Sequence, residues 1–414
     1  MNIRRSAALV AATVAIGAVG AQAASADDAV SASPSPKTAL PSGLYGKGDP
    51  TYDGVWRQSL ALVAQDTVGV KPAKKAVEWL AGQQCEDGGF AAFRAEPGKA
   101  CDKKTKIDSN ATAAAVQALA AVGGRDGEVA SAVALLKKNQ NADGGWGYSL
   151  GMDSDANSTS VVLGALAAAG EEPSEVKSSK GKTGADALAA LALPCSKGKE
   201  GGALAYQPDK KGELAANADA SAAGVLGALG TGFAPGKGKA PDTYTCEDGK
   251  STEAVAHNAA VYLQNQLDTH LYLKSQLAGS TDQPDYGNTA DAVTAVAAAE
   301  GVKATKDSYA WLEKNAEDWA AQTGPAAYAE LIFAAHATGN DPRDFGGTDL
   351  VSALNKTGPE PASAKSSASD SDSDSDSDEK KDDGGGANWW IIGVMFIAAV
   401  GAGFLLSGRK KQQP

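Results

Sequence analysis

Apolar positions along this chain fall into two alternating kinds of segment. The first kind opens with Asp or Asn, passes through Thr or Ser, and closes on a run of Ala, Val and Leu. It reads DSNATAAAVQALAAVG at 108–123, DANSTSVVLGALAAAG at 155–170, NADASAAGVLGALG at 217–230 and DYGNTADAVTAVAAA at 285–299. DGVWRQSLALVA (53–64) is a divergent first copy and PAAYAELIFAAHATG (325–339) the last. The opening residues are good N-caps, the Ala and Leu runs favour helix, and the closing Gly residues end it. Helices apolar nearly all round are expected to be buried.

The second kind follows the first. A helix-like stretch ends on an aromatic or Leu, then Leu, then Gln, a short loop and Gly-x-aromatic. It appears as Trp79-Leu80, Gln84 and Gly88-Gly89-Phe90, and again as Leu135-Leu136, Gln140 and Gly144-Gly145-Trp146. Weaker versions stand at Ala190-Leu191, Tyr262-Leu263 and Trp311-Leu312, with TDLVSALNK (348–356) as a short sixth. These segments carry charge (Lys74, Lys75 and Glu78; Lys137 and Lys138; Glu313 and Lys314), which predicts an outer, water-facing layer. About six buried and six exposed helices in alternation predict an all-α fold, an (α/α)6 toroid. An open solenoid would leave an Ala/Leu-rich face without caps.

These landmarks resemble the QW repeats of the terpenoid cyclase and protein prenyltransferase α/α-toroid superfamily, over roughly residues 50–345. The resemblance implies that Gln84 with Phe90, and Gln140 with Trp146, tie adjoining helices together rather than touch a ligand. It also implies that the starts of the inner helices converge on one mouth. Asp108, Asn110, Asp155, Asn157, Asn217, Asp219, Asp285 and Asn288 are then a candidate polar collar over an apolar cavity, or simply helix caps.

Class II cyclases of the superfamily carry D-x-D-D-T-A at such a start. Aligned on Thr159, this chain reads Asp155-Ala156-Asn157-Ser158-Thr159, with two of the three carboxylates replaced. Aromatics are only 6% of the chain, few for stabilising a carbocation. The prenyltransferases hold zinc with Asp, Cys and His, and no such set stands near an inner helix start. The thioester domains that share the ring need Cys-Gly-Glu-Gln, which Gly82-Gln83-Gln84-Cys85 does not supply. The expectation is a protein without catalytic residues, metal or cofactor. Vitamin B12 carriers share the ring and are extracellular binders, but add a β-rich domain with no counterpart here after residue 345.

The two ends bound the compartment. Arg4 and Arg5, an apolar run and small residues up to Ala23 or Ala26 read as a signal peptide (1–26). A flexible segment (27–45) and the toroid (46–358) follow. Residues 359–388 are a Ser-Asp stalk without large apolar side chains, expected to be disordered. From Asp370 to Asp383 it carries eight acids and two lysines, half of the formal charge of −12. Residues 389–407 at about 1.5 Å each span roughly 28 Å, one bilayer core. The basic tail at 408–414 suits the cytoplasmic side. No LPxTG-like sortase signal stands just before this span, and no basic stripe suggests nucleic acid.

Four cysteines and no CxxC fit an oxidising exterior. Three pairings exist in principle; chain order favours Cys85 with Cys101 and Cys195 with Cys246. The expected protein is a membrane-tethered surface toroid holding a small molecule in its cavity, with a membrane transporter as a further candidate partner. One rival is a diverged cyclase-like or lyase-like enzyme, which needs a close carboxylate pair or a carboxylate–Tyr pair in the cavity. The other is a structural or adhesive module, which predicts a ring filled by Leu, Val and Ala.

Overall fold

The computed structural model describes residues 40–276 and 281–362. The expected signal peptide, most of the stalk, the membrane span and the basic tail lie outside the described residues. Among the described residues no helix is long and apolar enough to cross a membrane.

Six inner helices alternate with outer ones. The inner set is α1 (Gly54–Thr67), α3 (Ser109–Val122), α5 (Ala156–Ala168), α7 (Ala218–Ala228), α9 (Tyr286–Glu300) and α12 (Pro325–Thr338). Each packs on the next, and α12 packs back on α1, so the ring closes. Outside stand α2 (Lys74–Gly82), α4 (Asp126–Lys138), α6 (Gly184–Leu191), α8 (Thr252–His270), α10 (Lys306–Asn315) with the short α11 (Glu317–Thr323), and α13 (Leu350–Asn355). A two-residue antiparallel pairing, Leu273–Lys274 with Pro284–Asp285, leads the chain into α9.

The layers follow from composition. Ala111 to Leu119 of α3 are all buried, as are nine residues of α5. On α2 only Ala76 and Leu80 are buried. Ala at so many inner positions lets the helices approach closely, and the sealed layer supplies the main hydrophobic stabilisation.

The Gln–aromatic segments join neighbouring repeats. Gln84 donates to the Gly88 carbonyl at 3.0 Å and to the Glu128 carbonyl of α4 at 2.7 Å. Gln140 donates to the Gly144 carbonyl at 2.7 Å and reaches that of Val176 at 3.5 Å. Phe90 and Trp146 are sealed in the core, and the backbone N–H of each donates to a Thr hydroxyl, Thr112 or Thr159, at 3.0 Å. The glycines have a steric reason. Gly144 has φ +95°, and a Cβ there would stand 2.1 Å from the Thr183 carbonyl oxygen; at Gly88 (φ +92°) it would stand 2.3 Å from that of Ser131.

Both disulfides follow chain order, Cys85–Cys101 and Cys195–Cys246. They point to an oxidising, extracellular environment. The folded boundary is wider than 46–358. Leu44 and Tyr45, expected in a flexible segment, are buried. The Tyr45 hydroxyl reaches Gln65 and the Pro359 carbonyl, and Gly46 N–H donates to Thr357 O. The two ends of the ring are stitched to each other beside α1.

Candidate functional site

At the mouth of the ring the expected collar divides by position. Asp108, Asp155, Asn217 and Asp285 are N-caps. Their side chains accept from the backbone N–H of Ala111, Ser158, Ala220 and Asn288 at 2.7–3.1 Å. These bonds satisfy N–H groups that a helix start leaves open. Asp285 also accepts from the Asn288 amide at 2.8 Å, so Asn288 belongs to the cap. Burial raises the Asp108 carboxyl, which is hydrogen-bonded to the Tyr148 side chain. It raises Asp155 to about 6, against hydrogen bonds from Ser158; the Tyr206 hydroxyl bonds to Asp155 as well. Four residues of the candidate collar are thus engaged as caps of their own helices, the alternative that the sequence left open beside ligand contact.

The residue two past the cap behaves differently. Asn110, Asn157 and Asp219 hold this position on α3, α5 and α7, and each is half-buried. Asn157 donates to Asp219 at 2.6 Å, while its own Oδ1 is shut off from solvent and accepts nothing; Asn110 Oδ1 is in the same condition. On α9 the corresponding position is Gly287, which leaves the centre open to a residue one turn deeper.

That deeper level carries two acids absent from the expected collar. Asp291 and Glu330, each the sixth residue of its helix, come from α9 and α12. Burial pushes Asp291 up to about 8, and repulsion from Asp219 and Asp285 adds to it. Burial holds Glu330 well above the carboxylate range, with Asp291, Asp285 and Asp219 contributing in that order. Asp219 is raised by burial and by Asp285, against the bond from Asn157. Four carboxyls on three inner helices thus share one field. Among the described residues no Lys, Arg or His forms an ion pair with any of them. At neutral pH the group retains protons, because full ionisation there is opposed by burial and by like charge.

Three aromatic rings, an apolar floor, pack together from α1, α12 and the loop after α7. Phe333 is on the face of α12 that carries Glu330, three residues on. It stacks on Phe233 with centroids 6.3 Å apart, and Phe233 meets Trp56 of α1 edge-on at 5.4 Å. Phe233 enters from the loop after α7. Its backbone N–H donates to Gln117 of α3 at 3.0 Å, and Gln117 donates in turn to Val161 of α5 at 3.2 Å. The loop so placed plugs the ring from the C-terminal side. On its far side is a groove of about 370 Å³ lined by Val63, Gln117, Phe233 and His336.

Sequence reasoning missed Asp291, Glu330 and the aromatic trio. A signal for the acids was present. An Asp in TADAVTAVAAA and a Glu in AYAELIFAA are costly in helices otherwise buried, so they mark either a partner or a cavity. Phe233 gave no signal, since it sits in a Gly-Pro-Lys loop without periodicity.

With this geometry in view, the comparisons give the class. Residues 50–192 match the family model described as the prenyltransferase alpha-alpha toroid domain. Over those residues the chain is similar to that family; the match spans α1 to α6, and α7 to α13 complete the ring of helices. No curated protein matches the sequence. Among solved structures, a sugar epimerase from a ruminal bacterium is similar at 13% identity and a TM-score of 0.43, over 66% of this chain and 80% of that one.

Proposed function

We propose that this protein is an exported toroid that binds a small molecule between the acid cluster at the mouth of its ring and the aromatic floor. One observation carries the reading: Asn110 Oδ1 and Asn157 Oδ1 are closed off from solvent and accept no hydrogen bond. Buried acceptors without donors are unfavourable by about 1–3 kcal/mol each, and a bound molecule that supplies donors removes that cost. A ring centre that carries four acids also disfavours a purely structural module filled by aliphatic side chains.

The tether belongs to the same proposal. A span at 389–407 holds the ring outside the membrane, the Ser-Asp stalk spaces it, and a membrane transporter is the partner that receives the ligand. Native mass spectrometry of the protein, extracted from its host membranes in mild detergent, tests both parts. A defined extra mass lost on denaturation, found in the membrane fraction, is expected. A clean apo mass in wild type, with the protein in the soluble fraction, overturns them.

A second reading has specific support. Asp291, protonated at neutral pH, and the Asp155–Tyr206 and Asp108–Tyr148 pairs are the carboxyl arrangements that acid–base catalysis uses. Under that reading the retained mass is a mixture of two related molecules, substrate and product. Under simple binding it is one.

A further inference from the structure

Every unpaired polar atom at this mouth is an acceptor. The carboxyls come from α7, α9 and α12 and the orphan amide oxygens from α3 and α5; the Asn157 and Asn288 amides are held by Asp219 and Asp285, and the carboxyls donate only while they keep their protons. No basic side chain balances the charge among the described residues. A ligand that completes this set brings positive charge and N–H or polarised C–H donors. A small metal ion fits poorly. Among the described residues no three His, Cys, Asp or Glu side chains stand close enough to hold one. Glu330 shares its helix face with Phe333, whose ring stacks on Phe233, which in turn meets Trp56 of α1 edge-on. Aromatic faces below and carboxyls around are the two elements that recognise an organic ammonium ion.

Building on the binding function proposed above, we infer that the ligand is an organic cation, an amine or quaternary ammonium of small size, held with its charge between Asp219, Asp291 and Glu330 and its carbon substituents on the aromatic floor. Its entry displaces a proton. The cation favours the ionised form of the shared carboxyls, so the cluster releases a proton to solvent as the cation binds, and the charge of the site is conserved. The groups facing this exchange are Asp219 on α7, Asp285 beside Asp291 on α9, and Glu330 on α12. α5 presents Asn157, and its cap Asp155 bonds to Tyr206, which also lies in the field of Asp219; α3 presents Asn110. His336, two turns below Glu330, is held neutral by burial and does not compensate. Affinity therefore rises with pH through the neutral range and levels off once the cluster is ionised.

The test is calorimetry on the full chain in mild detergent, stripped of bound molecules, with choline, tetramethylammonium and spermidine as probes. The control is 3,3-dimethylbutan-1-ol, which replaces the nitrogen of choline by carbon. At least one cation is expected to bind tighter than about 1 mM. For choline the neutral control should be weaker by about tenfold or more. Repeating the titration in buffers of different ionisation enthalpy should show proton release at pH 6.5, and less at pH 9. Glu330→Gln should weaken the cation by about tenfold and leave the control unchanged. The wild-type pH series needs no variant, so misfolding of Glu330→Gln does not spoil the result. Equal affinity for choline and its neutral isostere overturns the cation while leaving the cavity as a binding site. No probe binding, together with a neutral or anionic molecule in the native mass spectrum, does the same. No probe binding and no retained mass overturn both the cation and the binding function.

Discussion

Replacing Asp291 by Asn should make the protein more stable at pH 7, although it alters the centre of the ring. The argument is one of linkage. The Asp291 carboxyl titrates at about 8 in the folded chain against 3.8 for an unperturbed Asp. Its folded pKa is raised, so its contribution is fully present below about pH 4 and is lost as pH rises toward 8. Between those limits the unfolded chain has given up a proton that the folded chain keeps. Each pH unit then removes about 1.4 kcal/mol of stability. From pH 5 to pH 7 the loss for one proton is at most about 2.7 kcal/mol. Asp291 keeps a water-reached edge, and discounting for screening gives about 1–2.5 kcal/mol. For a folded part of this size that corresponds to a melting-temperature drop of about 1.5–4 °C. Asn does not titrate, and it removes one charge that opposes ionisation of Glu330, so the variant should lose correspondingly less over the same interval. Calorimetric melts of wild type and Asp291→Asn at pH 5, 6, 7 and 8 measure the difference directly. Asp108 and Asp155 also titrate upward and tilt both curves alike, which is why the difference between the curves is the quantity to read. If the two curves run parallel, or the variant is the less stable at pH 7, the shared-proton account of the cluster fails.

Two further predictions address the scaffold. Gly144→Ala places a Cβ against the Thr183 carbonyl at a positive φ, so it should destabilise by about 3 kcal/mol or more in urea unfolding; a change within experimental error would mean that the loop moves freely. Cys195→Ser opens a loop whose ends are 51 residues apart, and the chain-entropy relation gives a loss of about 4 kcal/mol, read as a lowered urea midpoint that reductant shifts less than that of wild type, because only Cys85–Cys101 is left to break.

How much of this was legible beforehand depends on the distance over which each feature is decided. The caps at Asp108, Asp155, Asn217 and Asp285 were readable because an N-cap bond spans three residues. The staples at Gln84 and Gln140 were readable because their loops repeat nearly word for word. Cys85–Cys101 and Cys195–Cys246 follow from chain order. Asp219 was on the page as one more helix-start acid, but nothing local distinguished it from a cap.

By itself, then, the sequence determined the helices, their inner or outer layer and the number of repeats, because cap chemistry, helix propensity and amphipathic period act over a turn or two. Only the tertiary structure decided what the ring holds. Asp219, Asp291 and Glu330 lie up to about 110 residues apart in sequence, and closing α12 onto α1 turns their three helices toward one axis. Phe233 reaches that axis only because the loop after α7 folds back beneath the ring. The raised carboxyls are a product of the same closure. Like charges on separate helices repel measurably only when packing brings them together out of water.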